Sequence, residues 1–258
     1  MPTADSLPEY RAYPARLYGE LDPGVSRALW LVKWLLAIPH YILLFFLWFA
    51  LIITTIISGF AILFTGRYPP ALFNFAVGVI RWNWRVSFYA YSALGTDRYP
   101  PFTLERTDYP ADFDVDYPER LINGLVLVKW WLLVIPHLVV VSALAGGAWM
   151  WWTAWPARWT GWRDSDGWWG SDNWWGAGWW NNGISVLTAM VIIAAVILLF
   201  TGRYQRPLFD LVMGINRWVY RVITYAVLLR DEYPPFRLDP GPSEPTRAPQ
   251  VGTEPPAT

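Results

Sequence analysis

The sequence predicts an α-helical integral membrane protein made of two direct repeats. Each repeat is expected to hold a transmembrane helical hairpin followed by an amphipathic interfacial helix, with short juxtamembrane β strands. Three observations lead there. Of 258 residues, 55% are hydrophobic, 18% aromatic and only 16% charged, a balance foreign to disordered chains and too apolar for an ordinary soluble domain. Long apolar runs are nearly free of ionisable groups, as a bilayer interior requires. Several motifs return in the same order in the second half of the chain, the signature of an internal duplication.

Taken in order, residues 1–27 are polar and Pro-bearing, the first 12 forming a polar N-terminal segment. They lack the basic start, short apolar core and small-residue cleavage site of a secretory leader, so nothing is expected to be removed. Residues 28–64 then run apolar, with Lys33 and His40 the only ionisable groups. One straight helix of that length would reach ~56 Å against a hydrocarbon core of ~30 Å, whereas two halves of about 18 residues would each fit. A hairpin is the economical reading. The rival is one long helix kinked at Pro39, which gives three crossings in all and puts the repeats on opposite faces.

The duplication locates the hairpin. Tyr13-Pro14-Ala15 returns as Tyr109-Pro110-Ala111, Val32-Lys33-Trp34 as Val128-Lys129-Trp130, and Ile38-Pro39-His40 as Ile135-Pro136-His137. Downstream, Leu63 to Tyr68 returns as Leu199 to Tyr204, Arg81-Trp82 with Arg85-Val86 as Arg217-Trp218 with Arg221-Val222, and Tyr99-Pro100-Pro101-Phe102 as Tyr233-Pro234-Pro235-Phe236. The offset grows from 97 at Pro39 to 136 at Gly66, so the second copy carries 39 extra residues between those points. So polar an insertion cannot sit in hydrocarbon; it belongs at a hairpin tip and divides the apolar region into residues 121–145 and 184–200. By analogy the first copy should turn near residues 47–50, although no Gly, Pro or Asn marks a turn there. Four crossings leave residues 1–27, 66–120 and 202–258 on one side, with 16 of the 20 Lys and Arg. The excess of positive charge makes that side cytoplasmic, so the expected location is the cell inner membrane, multi-pass, with both termini inside. The organisation is membrane repeat 1 over residues 13–108, membrane repeat 2 over 109–238 with its insertion at 147–183, and a Pro-rich, disordered tail over 239–258.

After each hairpin, residues 70–94 and 207–229 form an aromatic stretch carrying Arg81 and Arg85, or Arg217 and Arg221. The i, i+4 spacing puts each pair on one helical face, and two arginines make a spanning helix expensive. An in-plane interfacial helix is expected, its arginines, with Arg67 and Arg203, meeting lipid phosphates or acidic partners; the alternative is a solvated or salt-bridged face. Short alternating runs at 15–21, 102–105 and 113–116 read as strands, with the YPPF motifs confined to edges or turns. Asp112, Asp114, Asp116 and Glu119 resemble no complete calcium loop and read as a solvated face.

The insertion holds 12 of the 20 tryptophans. Indole favours the membrane interface, so this loop is read as an outer-leaflet anchor; the functional alternative is sugar, headgroup or partner binding by Trp168, Trp169, Trp174 and Trp175. Lys33 and Lys129 are intramembrane polar residues that either snorkel to the headgroups or serve a function. His40 and His137, the only histidines, each follow a kinking Pro; facing one another they could relay protons or share a metal, otherwise they pack structurally. No cofactor is expected. With no Cys and equal numbers of acidic and basic residues, 20 each, disulfides, thiolate chemistry and nucleic-acid binding are set aside. No nucleotide, zinc or nucleophile motif appears, so no enzyme is expected.

The combination of Ile38-Pro39-His40, Thr65-Gly66-Arg67-Tyr68-Pro69, Arg81-Trp82-Asn83-Trp84-Arg85-Val86 and the YPPF motif resembles the bacterial membrane family called domain of unknown function 4389, here in a tandem form. The resemblance covers residues 13–106 and 109–238, departing at Gln205, where the first copy has Pro69, and at the insertion. It implies an integral membrane protein and supplies no reaction, cofactor or catalytic residue. The function expected is therefore a noncatalytic inner-membrane protein that organises lipids or a membrane or envelope partner protein; the alternative is a small transporter or channel with its path between the repeats.

Overall fold

The computed structural model describes residues 13–137, 140–141 and 185–242. The N-terminal segment 1–12, the Trp-rich insertion with Trp168, Trp169, Trp174 and Trp175, and the tail beyond 242 lie outside the described residues. The fold is mostly helical with two short strands. In chain order it runs β1 (Ala15–Gly19), α1 (Trp30–Leu36), α2 (Ile38–Thr65), α3 (Pro70–Ala90), β2 (Ala111–Val115), α4 (Leu125–Val128) leading into a π-helical turn (Lys129–Leu133), α5 (Val186–Thr201) and α6 (Arg206–Ala226).

The two strands are the equivalent segments of the two copies, and they pair antiparallel with Leu17 opposite Phe113, Ala15 opposite Val115 and Gly19 opposite Ala111. Equivalent residues thus exchange places about the central pair, which defines a local twofold axis. Alternation puts Ala15, Leu17, Ala111, Phe113 and Val115 on one buried face, so the axis stands perpendicular to the sheet. Against that face lie α3 and α6, each packed on the strand of the other copy: α3 on β2 and α6 on β1. The seam is aromatic. Trp84 meets Tyr220 edge-on at 5.2 Å, and Tyr220 packs on Phe113 at 5.8 Å. Trp48 donates to Asn83 at 3.1 Å, and Asn83 donates across the seam to the Tyr220 hydroxyl at 2.8 Å.

The expected helices 70–94 and 207–229 exist as α3 and α6, but as a buried middle layer rather than at an interface. Most α3 residues, from Phe73 to Ala90, are buried. Their arginines find carboxylates and carbonyls in the neighbouring sheet and loops, so the polar stripe is satisfied inside the protein. Those same arginines correct the expected strand at 102–105. Arg85 donates to Glu105 O at 2.8 Å and Arg81 to Leu104 O at 3.1 Å, occupying carbonyls that a strand would give to a ladder.

On the far side of α3 lies α2, packed through Leu44, Trp82, Val86 and Tyr89. It is the one described helix long and apolar enough to cross a membrane by length and composition. The turn expected at 47–50 does not form: α2 runs unbroken from Ile38 to Thr65. Its residues there, Leu-Trp-Phe-Ala, have no backbone preference for a turn, and Leu47 and Trp48 pack against the buried core. The first copy has no hairpin. Instead the break falls at Ala37, ahead of Pro39 in the first turn of α2, where a missing N–H is harmless. Its C-terminus closes on Gly66 at φ 67°, and α5 closes on Gly202 at φ 68°, the left-handed cap that glycine makes cheap.

One difference between the copies has a local cause. The second copy reads Lys129-Trp130-Trp131 where the first reads Lys33-Trp34, and the additional residue is absorbed in the π-helical turn Lys129–Leu133. Beyond α3 and α6, equivalent leucines Leu94 and Leu228 both adopt left-handed φ, 53° and 66°. A non-glycine residue there is strained, and both are buried.

Candidate functional site

Those leucine turns bring a loop back beneath each lysine. Lys33 is wholly buried; its ammonium lies 2.8 Å from Asp97 and donates to Thr96 O at 2.6 Å. Lys129, equally buried, lies 3.1 Å from Asp231 and donates to Arg230 O. A tyrosine ring lies beside each, Tyr89 at 5.2 Å and Tyr225 at 4.4 Å, within cation–π reach. Neither lysine snorkels. Burial pushes the Asp97 carboxyl up, but Lys33 and the Ser26 N–H outweigh it and hold that carboxyl below its usual range.

Each histidine sits in an aromatic cage of its own copy. His40 stacks on Phe102 at 3.9 Å and 11°, touches Tyr99 at 5.0 Å, and accepts from the Trp82 indole at 3.1 Å. His137 stacks on Phe236 at 4.3 Å and 14°, with Tyr233 at 4.6 Å and Trp218 at 6.1 Å. The two therefore do not face one another. Among the described residues no group of three or more His, Asp or Glu could hold a metal ion. What the YPPF motif does is also clear: its Tyr and Phe wall the histidine.

The paired arginines turn inward. Arg81 donates to Phe113 O at 2.9 Å and pairs with Asp112 at 3.0 Å; wholly buried Arg85 pairs with Asp112 at 3.3 Å. Arg217 donates to Asp239 O and to Gly241 O at 2.9 Å, and Arg221 pairs with Asp239 at 2.6 Å. These four do not reach a lipid surface, which corrects the expectation of headgroup contact for them. The acidic cluster does lie on a solvent-facing side, with Asp116 and Glu119 exposed and Asp112 and Asp114 half-buried, and its three aspartates form a network with Arg16, Arg81, Arg85 and Arg106. Burial raises the Asp114 carboxyl, but Arg106 and Arg16 outweigh it and hold it below its usual range.

Arg67 and Arg203 behave differently. Both are exposed, one residue past the glycine caps of α2 and α5, with their N–H groups held by Thr65 and Thr201 at 3.2 Å. Exposed Arg27, Arg120 and Arg206 share these helix ends: Arg27 lies over Gly202 and Arg120 near Gly66. Among the described residues none of these five side chains has an ion-pair partner. They border an apolar face on which Phe45, Phe49 and Phe60 are more than 60% exposed, and Phe64 and its equivalent Phe200 reach 79%. A groove of about 590 Å³ opens between α2 and the segments at Val126 and Leu228, lined also by Leu51, Thr55 and Gly59.

A family described as Domain of unknown function (DUF4389) matches the chain at residues 27–103, which hold Lys33, His40, Thr65-Gly66-Arg67 and Asp97, and at residues 180–237, which hold Thr201-Gly202-Arg203 and Asp231 but not Lys129 or His137. The chain belongs to this family. It is a tandem DUF4389 protein, one match falling in each copy and the second confined to the part of its copy after the insertion. No curated protein and no solved structure matches it. Within the DUF4389 copies, sequence reasoning missed Asp97 and Asp231. The signal was present, since each lies two residues before the Tyr of a YPPF motif.

Proposed function

We propose that this chain is a noncatalytic bacterial inner-membrane protein, with both termini on the cytoplasmic side, that organises lipids or a partner protein. The observation that carries this reading is the continuous apolar face of α1 and α2. Leu31, Trp34 and Leu35 are exposed on α1, and Ile42, Phe45, Phe46, Phe49, Ile53, Ile56, Phe60 and Phe64 on α2, recurring every three or four residues. Soluble proteins keep such patches small. Moving only six of these side chains from water into hydrocarbon is worth on the order of 10 kcal/mol.

The five exposed arginines, which have no ion-pair partner among the described residues, supply the polar margin of that face, and the buried Lys–Asp pairs and histidine cages act as rigid internal ties. Two experiments test the reading. The protein should remain with inner membranes after carbonate washing, and purification in mild detergent should retain phospholipid or a partner. A carbonate-soluble protein, or one that carries neither lipid nor partner, would defeat it.

A further inference from the structure

Helix α2 has the length and composition of a crossing helix, yet its two flanks are tied together. The chain before it supplies β1 and the chain after it supplies β2, and the strands pair along their whole length. Further bonds join the same flanks: Glu20 N–H to Pro110 O at 2.8 Å, Asp22 N–H to Gly95 O at 2.9 Å and Asp116 N–H to Pro14 O at 3.0 Å. A straight α2 that crossed the bilayer would leave these partners on opposite sides unless α3 carried the chain back, and α3 packs on β2 with Arg81 and Arg85 paired to its Asp112, so it lies with the sheet. The sheet cannot be moved into the membrane instead, because it carries Arg16, Asp112, Asp114 and Asp116 on one face.

The rest of the geometry agrees. One end of α2 lies by the Lys33–Asp97 pair of the first copy. The other, at Gly66, accepts from Leu121 N–H at 2.8 Å, close to Ile122, whose N–H is held by Asp231 of the second Lys–Asp pair at 2.7 Å. The two pairs are equivalent across the local twofold, so α2 runs between two points at the same height above the sheet. One side of the helix packs on α3, and the other is apolar and exposed along its whole length. Arg67 and Arg120 at its C-terminal end, with Arg27, Arg203 and Arg206 at the equivalent end of α5, lack ion-pair partners among the described residues. Cations bordering an apolar helix face are complementary to anionic headgroups bordering hydrocarbon.

The geometry points to α2 lying in the plane of the membrane, its exposed face sunk into a single leaflet of anionic phospholipid and its bordering arginines on the headgroup phosphates. This rests on the membrane reading above and replaces the crossing expected from the sequence with an embedded helix. The protein then sits on the cytoplasmic leaflet, with sheet and middle layer in water.

The native chain has no cysteine, so single cysteines in the full-length protein report depth directly. Spin labels at Phe45→Cys, Phe49→Cys, Ile56→Cys and Phe60→Cys, in vesicles of phosphatidylcholine and phosphatidylglycerol, are read by relaxation with oxygen and a water-soluble nickel chelate. Positions 45 and 60 are ~22 Å apart along the helix. An embedded helix places all four labels at one depth, within about 5–10 Å of the headgroup boundary. Gly24→Cys and Glu119→Cys, in exposed positions on either side of α2, should react with an impermeant maleimide from the same face. In nanodiscs of the same lipids, Arg67→Gln and Arg203→Gln should each reduce retention of phosphatidylglycerol over phosphatidylcholine by about fivefold. A depth change of about 20 Å between 45 and 60, with labelling of 24 and 119 from opposite faces, overturns the inference and leaves the membrane reading standing. Full nickel access at all four positions overturns both.

Discussion

Removing Asp97 should cost more than removing the lysine it serves. Lys33 is wholly buried, while the Asp97 side chain keeps 25% of its surface and accepts a second bond from Ser26 N–H at 2.6 Å. In Asp97→Ala the ammonium keeps Thr96 O, the Tyr89 ring and the more distant charge of Asp22. Breaking a buried pair in this way costs about 3–5 kcal/mol, and the retained carbonyl argues for the lower end, about 3. In Lys33→Met the carboxylate left behind still has the Ser26 N–H and access to water, and the methionine stem fills most of the lysine volume, so the loss is about 1–2 kcal/mol. The double variant should be more stable than Asp97→Ala alone, because no charge is stranded. Equilibrium unfolding in mild detergent, followed by tryptophan fluorescence, gives the three values and the coupling between the sites. Lys129 and Asp231 should repeat the pattern. If Lys33→Met proves costlier than Asp97→Ala, or the double variant is the least stable of the three, the reasoning from unequal burial is wrong.

The carboxyls of Asp97, Asp114 and Glu232 are all held below their usual range in the folded protein. Their contribution is therefore complete above the unfolded values and lost as pH falls through the folded ones, so melting temperature should be level near neutrality and fall below pH about 4; a protein most stable at pH 3 would contradict this. Gly78 and Gly214 are equivalent but should respond oppositely to alanine. A Cβ at Gly78 would lie 2.9 Å from Leu104 Cβ and 3.1 Å from its carbonyl oxygen, whereas at Gly214 the nearest atom is 3.5 Å away. Thermal melts should show Gly78→Ala destabilised by about 1–3 kcal/mol and Gly214→Ala stabilised by about 0.5–1 kcal/mol through helix propensity. Asn83→Ala breaks the chain from Trp48 to Tyr220 and leaves the half-buried Trp48 indole N–H unpaired while the Tyr220 hydroxyl keeps Ser87 at 3.5 Å, which should cost about 1–2 kcal/mol in the same assay; a loss under about 0.5 kcal/mol would show the seam to be held by packing alone.

Much of this fold could be read in the sequence, and the failures have definite causes. The duplication, the alternating strands and the limits of α3 and α6 follow from local pattern, which local physics decides. The direction in which Arg81 and Arg85 point does not, because an i, i+4 pair is equally suited to phosphates and to carboxylates. The deciding partners, Asp112 and Asp114, belong to the other copy and arrive only through the antiparallel strand pairing. The site of the second copy's insertion points to a turn within α2, yet the first copy's own residues offer an uninterrupted helix. The Lys33–Asp97 pair is not legible locally, because the two lie 64 residues apart and only the left-handed turn at Leu94 swings Asp97 under the ammonium.

The widened turn at Lys129–Leu133 shows how the two copies stayed interchangeable while their lengths diverged. An added residue in an ordinary α-helix rotates everything beyond it by ~100°, which would have swung His137 away from Phe236 or Lys129 away from Asp231. Confining the surplus to five residues cancels that rotation before Pro136 arrives, so both side chains still meet the counterparts of their first-copy neighbours. Spacing in this chain is thus corrected helix turn by helix turn, and a count of residues between two groups is a poorer guide to whether they meet than the pitch of the turn that joins them.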